Sequence, residues 1–362
     1  MFGGGNHRGG RGAAFFALAL ALVCAATGRC DPVKTVCPER LSLNIEGHTV
    51  CVPYCANVSL EKPSPRIERA VIGIHGMNRT AAMGYLRLVE AATKAGVIDT
   101  CLIVALQFLT AEDLDAHALG DDMLYWSSGG WKTGYDSKDT KGKPRPVTVS
   151  SFTVVDQLLA ILTEQQRFPN LTHLVVAGHS AGGQFVNRYA AGSRKAATLG
   201  PVRYALRFVV ANPSSYVYFN EERRVEGTQD QFAVPPASTV AKCPYYNRYR
   251  YGLDALNDYM AGVGVARIRA QYQERTVYYL LGEDDNNPEH ASLDTSCQAL
   301  LEGRHRLERG IVYYNYLRHY FGAGITQRHF LRTVPGVAHS SRGIFSSPQG
   351  IEALFDVTRK DQ

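Results

Sequence analysis

Two rhythms of apolar and polar positions divide most of the chain. Short apolar runs predict buried strands at Arg69–Ile74 (RAVIGI), 101–108, 174–177 (LVVA), 204–211 (YALRFVVA), 275–281 (RTVYYLL) and His329–Val334. Runs with no polar alternation are what strands covered on both faces require. Between them apolar residues recur at helical spacing over 81–95, 151–167, 185–190, 305–321 and 349–358. In 151–167 the residues Val154, Val155, Leu158, Leu159 and Leu162 share one face. Strand, helix, strand implies parallel βαβ units with right-handed crossovers. Residues 41–54 (LSLNIEGHTVCVPY) instead alternate about Glu46-Gly47, which predicts an antiparallel hairpin.

Two stretches break the rhythm. Residues 110–150 hold both tryptophans, Trp126 and Trp131, around Ser127-Ser128-Gly129-Gly130. Residues 213–273 are rich in tyrosine and arginine, with Pro235-Pro236 and Tyr245-Tyr246-Asn247-Arg248-Tyr249. Long connections in α/β proteins are commonly functional, and these two follow strands, at the edge where such sheets bind ligands. The aromatics of the first either line a pocket or pack the loop down. The second is placed as a cap-like insertion, its tyrosines anchoring irregular backbone.

The stretch that organises the chain is 171–183, LTHLVVAGHSAGG. A buried strand runs into Gly178-His179-Ser180-Ala181-Gly182, a G-x-S-x-G pattern, and a helical segment follows. Strand, tight turn and helix is the context of a nucleophile elbow. Glycines two positions either side relieve the crowding of a strained turn. The helix that begins there points its N–H groups at the serine, where an oxyanion would develop. A second signal is His75-Gly76 directly after the strand 69–74, where a glycine lets the loop double back. The plain alternative is a βα turn with a surface histidine.

Composition bounds the class. A chain of 362 residues, 45% hydrophobic and 20% charged, buries a large core and suits one α/β domain over 29–362 with the two insertions. A net charge of +6 with no dense Lys/Arg run gives no case for nucleic acid. Arg8 and Arg11 precede an uncharged apolar run over 13–26 and the small residues Ala26-Thr27-Gly28. Residues 1–28 therefore read as a cleaved secretory signal, too short for a comfortable membrane span. No other segment is apolar enough to cross a bilayer, so a secreted or secretory-lumen protein is expected.

That compartment makes the cysteines disulfide candidates. Cys24 leaves with the signal. Cys30, Cys37, Cys51 and Cys55 can form two bridges in any of three connectivities, Cys243 and Cys297 can pair, and Cys101 reads as a buried thiol. Cys51-x-x-x-Cys55 resembles half a zinc site, but His48 is alone beside it, so no metal is expected. Sequons at Asn57, Asn78 and Asn170 fit a secretory route.

After the strand 275–281 comes Gly282-Glu283-Asp284-Asp285, and after His329–Val334 the loop Pro335-Gly336-Val337-Ala338-His339. A carboxylate past the first strand and a histidine past the second complete the chain order Ser, acid, His. Among 11 histidines, His339 is the one in a small-residue loop after the final strand.

With these residues in view the chain resembles an α/β-hydrolase, and within that superfamily secreted esterases and polyester depolymerase-like hydrolases. The resemblance spans residue 70 to the C-terminus. It implies a mostly parallel sheet with helices on both faces, no cofactor, and an ester substrate, small or polymeric. It implies Ser180 as nucleophile, His339 as base, and oxyanion donors in the N–H groups of Met77 and Ala181. A Gly-x-x-Asp spacing favours Asp285 as the acid; the doubled Asp284-Asp285 departs from an unambiguous pattern. The superfamily hosts many activities, so a serine peptidase or amidase, and a non-catalytic binding protein, are the alternatives.

Overall fold

The computed structural model describes Met1 and residues 31–199 and 203–357. The expected signal, Cys24 and Cys30 lie outside the described residues. Eight strands form one sheet among them: β1 (Glu39–Ile45), β2 (His48–Ala56), β3 (Arg69–Ile74), β4 (Cys101–Leu106), β5 (His173–His179), β6 (Ala205–Ala211), β7 (Thr276–Gly282) and β8 (His329–Val334). Their order is β1-β2-β4-β3-β5-β6-β7-β8. β1 and β2 pair antiparallel across Glu46-Gly47, β2 joins β4 antiparallel, and every later pairing is parallel. The expected α/β-hydrolase sheet, with its N-terminal antiparallel hairpin, is present.

Alternation along the buried strands sorts the core into two layers. Val71, Ile103, Val175, Val209 and Tyr278 face α1 (Ala81–Lys94) and α5 (Pro348–Phe355), through Leu88 and Leu354. Their neighbours Ile72, Val104, Val176, Val210 and Tyr279 face α2 (Ser151–Leu162), α3 (Ala181–Gly192) and α4 (Arg306–Phe321), through Leu158, Phe185 and Tyr313. Helices thus cover both faces. α2 stops at Leu162, five residues before the sequence pattern does. Thr163 turns its hydroxyl onto the carbonyls of Leu159 and Ala160, and a turn leads to Pro169.

Cys37 bonds to Cys55 and ties the N-terminal segment to β2. Cys51 and Cys101 are buried thiols, so one bridge stands among the described residues where the sequence allowed two. Cys243 bonds to Cys297, joining the second insertion to the loop beyond the acid. That insertion contains a short strand pair, Arg223–Arg224 with Phe232–Ala233, and helices Ala237–Lys242, Asp258–Val263 and Val265–Gln273. Its tyrosines do anchor backbone: Tyr249 donates to the Thr133 carbonyl and Tyr246 to that of Glu221. In the first insertion both tryptophans are buried. They pack the loop down and do not line a pocket, because Phe108 stands between them as a third ring.

Candidate active site

β5 delivers its last residues to the carboxyl edge of the sheet, and the chain turns at once into α3. Ser180 sits at that turn with φ 60° and ψ −119°. A positive φ on a residue with a Cβ costs on the order of 1–3 kcal/mol and persists where the surroundings over-determine it. Here they do. A Cβ on Gly178 would collide with the backbone of Gly182, and one on Gly182 with the carbonyl of Ile74. On Gly183 it would meet the Ala211 carbonyl, and Ala211 also accepts the Ser180 N–H at 2.9 Å. The glycines let β3, β6 and α3 close on the serine from three sides.

Ser180 and His339 line one cavity of 260 Å³. Its walls come from the β3 loop (His75, Gly76, Met77, Asn78), from the elbow, and from Ser292, Ser341 and Phe345. No residue of 213–273 lines it. The N–H groups of Met77 and Ala181 have no acceptor among the described residues, as expected for a loop tip and a first helical turn. Met77 and Met83 stand 38% and 48% exposed at its edge and give it an apolar side.

The acid and the histidine meet because Gly282 has no side chain. A Cβ there would strike the Val337 carbonyl. The Asp284 N–H donates to the same carbonyl at 3.0 Å, which lays the histidine loop against the acid loop. Asp285 turns inward and is 3% exposed, with Oδ2 2.6 Å from His339 Nδ1. Asp284 turns to solvent. Asp294 binds elsewhere, accepting from Tyr251 and from the Ser296 N–H.

Sequence reasoning missed Arg306. Its guanidinium, wholly buried, donates to Asp285 Oδ1 at 3.3 Å, Ser214 Oγ at 3.0 Å and Ser292 Oγ at 2.9 Å. Burial would raise the Asp285 pKa, but the His339 hydrogen bond and charge together with Arg306 outweigh it and hold the carboxyl below its ordinary value. Nothing in the sequence marks it, because Arg304 and Arg309 flank it at the start of the same helix. Asn212 was also missed. It takes φ 42°, accepts the Gly282 N–H at Oδ1 and faces His179 Nε2 with Nδ2.

His75 works as a strut. Its Nδ1–H donates to the Gly76 carbonyl at 2.8 Å and its Nε2 accepts from the Phe108 N–H at 3.0 Å. Acceptance at Nε2 needs the neutral ring, and burial lowers its pKa to about 4. Trp131 covers it at 4.3 Å. His179, the variable residue of the elbow, is pushed to about 3 by burial and by His339, whose ring is 4.5 Å away. No group of three or more His, Cys, Asp and Glu among the described residues is placed to hold a metal ion.

The architecture is that of the α/β-hydrolases, and solved structures share it. Poly(aspartic acid) hydrolase-1 from Sphingomonas sp. KT-1 superposes with a TM-score of 0.54 at 22% identity, covering 88% of this chain and 98% of its own. LpqC, a poly(3-hydroxybutyrate) depolymerase from Bordetella parapertussis, gives 0.55 at 19% identity, covering 88% and 90%. At these identities the likeness is one of fold. No protein-family model and no curated protein matches the sequence.

Proposed function

We propose that this chain is a serine hydrolase of carboxylic esters, small or polymeric, working through an acyl-enzyme. Ser180 Oγ attacks the carbonyl carbon while His339 takes its proton. The N–H groups of Met77 and Ala181 hold the oxyanion. Collapse expels the alcohol, which receives the proton from His339. Water then attacks the acyl-enzyme with His339 again as base, and the acid leaves. Asp285 fixes the imidazole tautomer and stabilises the imidazolium.

The observation that carries this reading is the pairing of a strained Ser180 with His339 in one cavity, the latter held by buried Asp285 at 2.6 Å. The polyester-cleaving activity of the poly(3-hydroxybutyrate) depolymerase agrees with it, whereas poly(aspartic acid) is amide-linked and its hydrolase agrees with the amidase alternative. Residues 1–28 are proposed as a secretory signal ahead of a hydrolase domain over 29–362, and the two disulfides suit that route. Of the three sequons, Asn57 spends its side chain on Cys101 O and Ile103 N, Asn170 donates its amide to Pro65 O at 2.7 Å, and Asn78 is in the wall of the serine cavity.

Short p-nitrophenyl esters tested against peptide anilides decide the class. The ester reading expects ester turnover to exceed anilide turnover by orders of magnitude. Dominant anilide cleavage makes the protein a peptidase or amidase, and no turnover of either makes it a binding protein.

A further inference from the structure

The serine cavity does not end at Met83. A second cavity of 530 Å³ continues from it, and Met77, Asn78, Thr80 and Met83 are in the walls of both. The far wall of the second is the N-terminal segment, residues 31–35, and α1 adds Ala82. No residue of either insertion lines it.

That far wall is firmly built. Residues 31–37 form neither strand nor helix, yet buried polar side chains hold them. Asp113, wholly buried, accepts the Val33 N–H at 2.7 Å and the Arg79 Nε–H at 2.9 Å. Arg79 in turn donates to the Asp31 carbonyl at 2.8 Å. Gln107, also wholly buried, donates to the carbonyls of Thr35 at 3.0 Å and Arg79 at 2.9 Å. Its oxygen accepts the Cys37 N–H at 2.8 Å, and the Cys37–Cys55 bridge anchors the end of the segment to β2. Water would satisfy the backbone of a surface segment as well, so two buried side chains spent on it serve to fix its place. The same two brace Arg79, two residues beyond Met77. Groove wall and β3 loop are clamped together.

The groove so held is lined on one side by the exposed methionines Met77 and Met83 and on the other by Pro32 and Val33. Thioether side chains adapt their shape to irregular apolar partners. Its charged residues select no ion: Arg79 is buried against Asp113, and Asp31 and Lys34 are exposed and opposite in sign.

We propose that this groove is a subsite for an aliphatic chain of the ester whose carbonyl sits at Ser180. The proposal rests on the ester-hydrolase reading and narrows it to esters carrying a chain of several carbons on one side. Continuity argues for this occupant. Four residues belong to both walls, so a chain leaving the serine cavity over Met77 and Met83 enters the second one.

Two ester pairs test it by titrating released acid. Methyl octanoate against methyl butanoate lengthens the acyl side; octyl acetate against butyl acetate lengthens the alcohol side. The subsite expects the longer ester to be favoured about tenfold or more in kcat/KM in one pair, mainly through KM, the pair that responds naming the side. Pro32→Glu and Met83→Glu, both at exposed positions, set a carboxylate in the groove and should each bring that ratio towards one. Pro32 is in the wall of the second cavity and not of the first, so its variant separates the two. No preference for length in either pair, or a ratio that Pro32→Glu leaves untouched, overturns the subsite while leaving the ester reading intact. A dimer that either variant dissociates, seen by analytical ultracentrifugation, gives the groove to a second copy and overturns it too. If no ester is cleaved, calorimetric binding of 2-octanone to the Ser180→Ala protein still decides. Binding weakened about tenfold by adding Pro32→Glu upholds the subsite, and absent or equal binding overturns it.

Discussion

Arg306 Nη1 lies 3.3 Å from Asp285 Oδ1, and neither side chain is more than 2% exposed. The other carboxylate oxygen faces His339, so one buried acid is shared between a permanent cation and the candidate base. Removing one partner of a buried pair leaves an uncompensated charge and costs roughly 3–5 kcal/mol. Arg306→Met should lower stability by about that amount, read by urea unfolding. Because folding depresses the Asp285 pKa, its contribution is present above the ordinary carboxylate value, ~3.9, and fades as pH falls below it. The deficit of the variant relative to the parent should therefore shrink below about pH 4.

The neighbouring aspartates should separate sharply. Asp285→Asn is expected to slow ester turnover by ~10⁴, since the imidazole loses the partner that fixes its tautomer. Asp284→Asn, at an exposed side chain, should stay within about twofold. Steady-state kcat on a p-nitrophenyl ester reads both.

How much of this was legible follows from how local each cause is. The elbow was legible because strand, glycines, serine and helix are contiguous, and the sheet because its strands are continuous apolar runs. Asp285 could not be told from Asp284 by spacing in the residues themselves. Which carboxylate turns inward depends on Gly282 leaving room for the Val337 carbonyl and on Arg306, 21 residues downstream. The tryptophans left lining and packing equally open, because burial of Trp126 and Trp131 depends on Phe108 and His75 from the loops after β4 and β3.

Glycine substitutions should split by position. Gly84 lies inside α1 with nothing within 4 Å of an added Cβ, so Gly84→Ala should stabilise by about 1 kcal/mol through helix propensity. Gly178→Ala would drive a methyl into the Gly182 backbone. It should lower the melting temperature and abolish turnover together.

Acid should weaken the fold well above the carboxylate range. His75 and His329 are held neutral by burial, each with its pKa lowered to about 4 against ~6.5 in an unfolded chain. Between those values the unfolded chain binds more protons, so stability falls as pH drops from about 6.5 to about 4. His329 accepts from Tyr279 and donates to the Tyr272 carbonyl, away from the serine. Melting temperature followed from pH 7 to pH 4 should decline steadily, and a flat profile would contradict the assignment of neutral rings.

The Cys243–Cys297 bridge closes a separation of 54 residues, worth about 4 kcal/mol in the chain-entropy model. Replacing both cysteines by serine should cost about that much in unfolding free energy. Since Asp285 and Ser292 sit within the closed loop, turnover should fall before global unfolding sets in.

The central claim is that Ser180 is the nucleophile. A fluorophosphonate probe followed by peptide mass mapping tests it without assuming a substrate. The account predicts one adduct, on Ser180, absent in Ser180→Ala and strongly slowed in His339→Ala. An adduct on another residue, or a folded parent protein that takes no label, would contradict it.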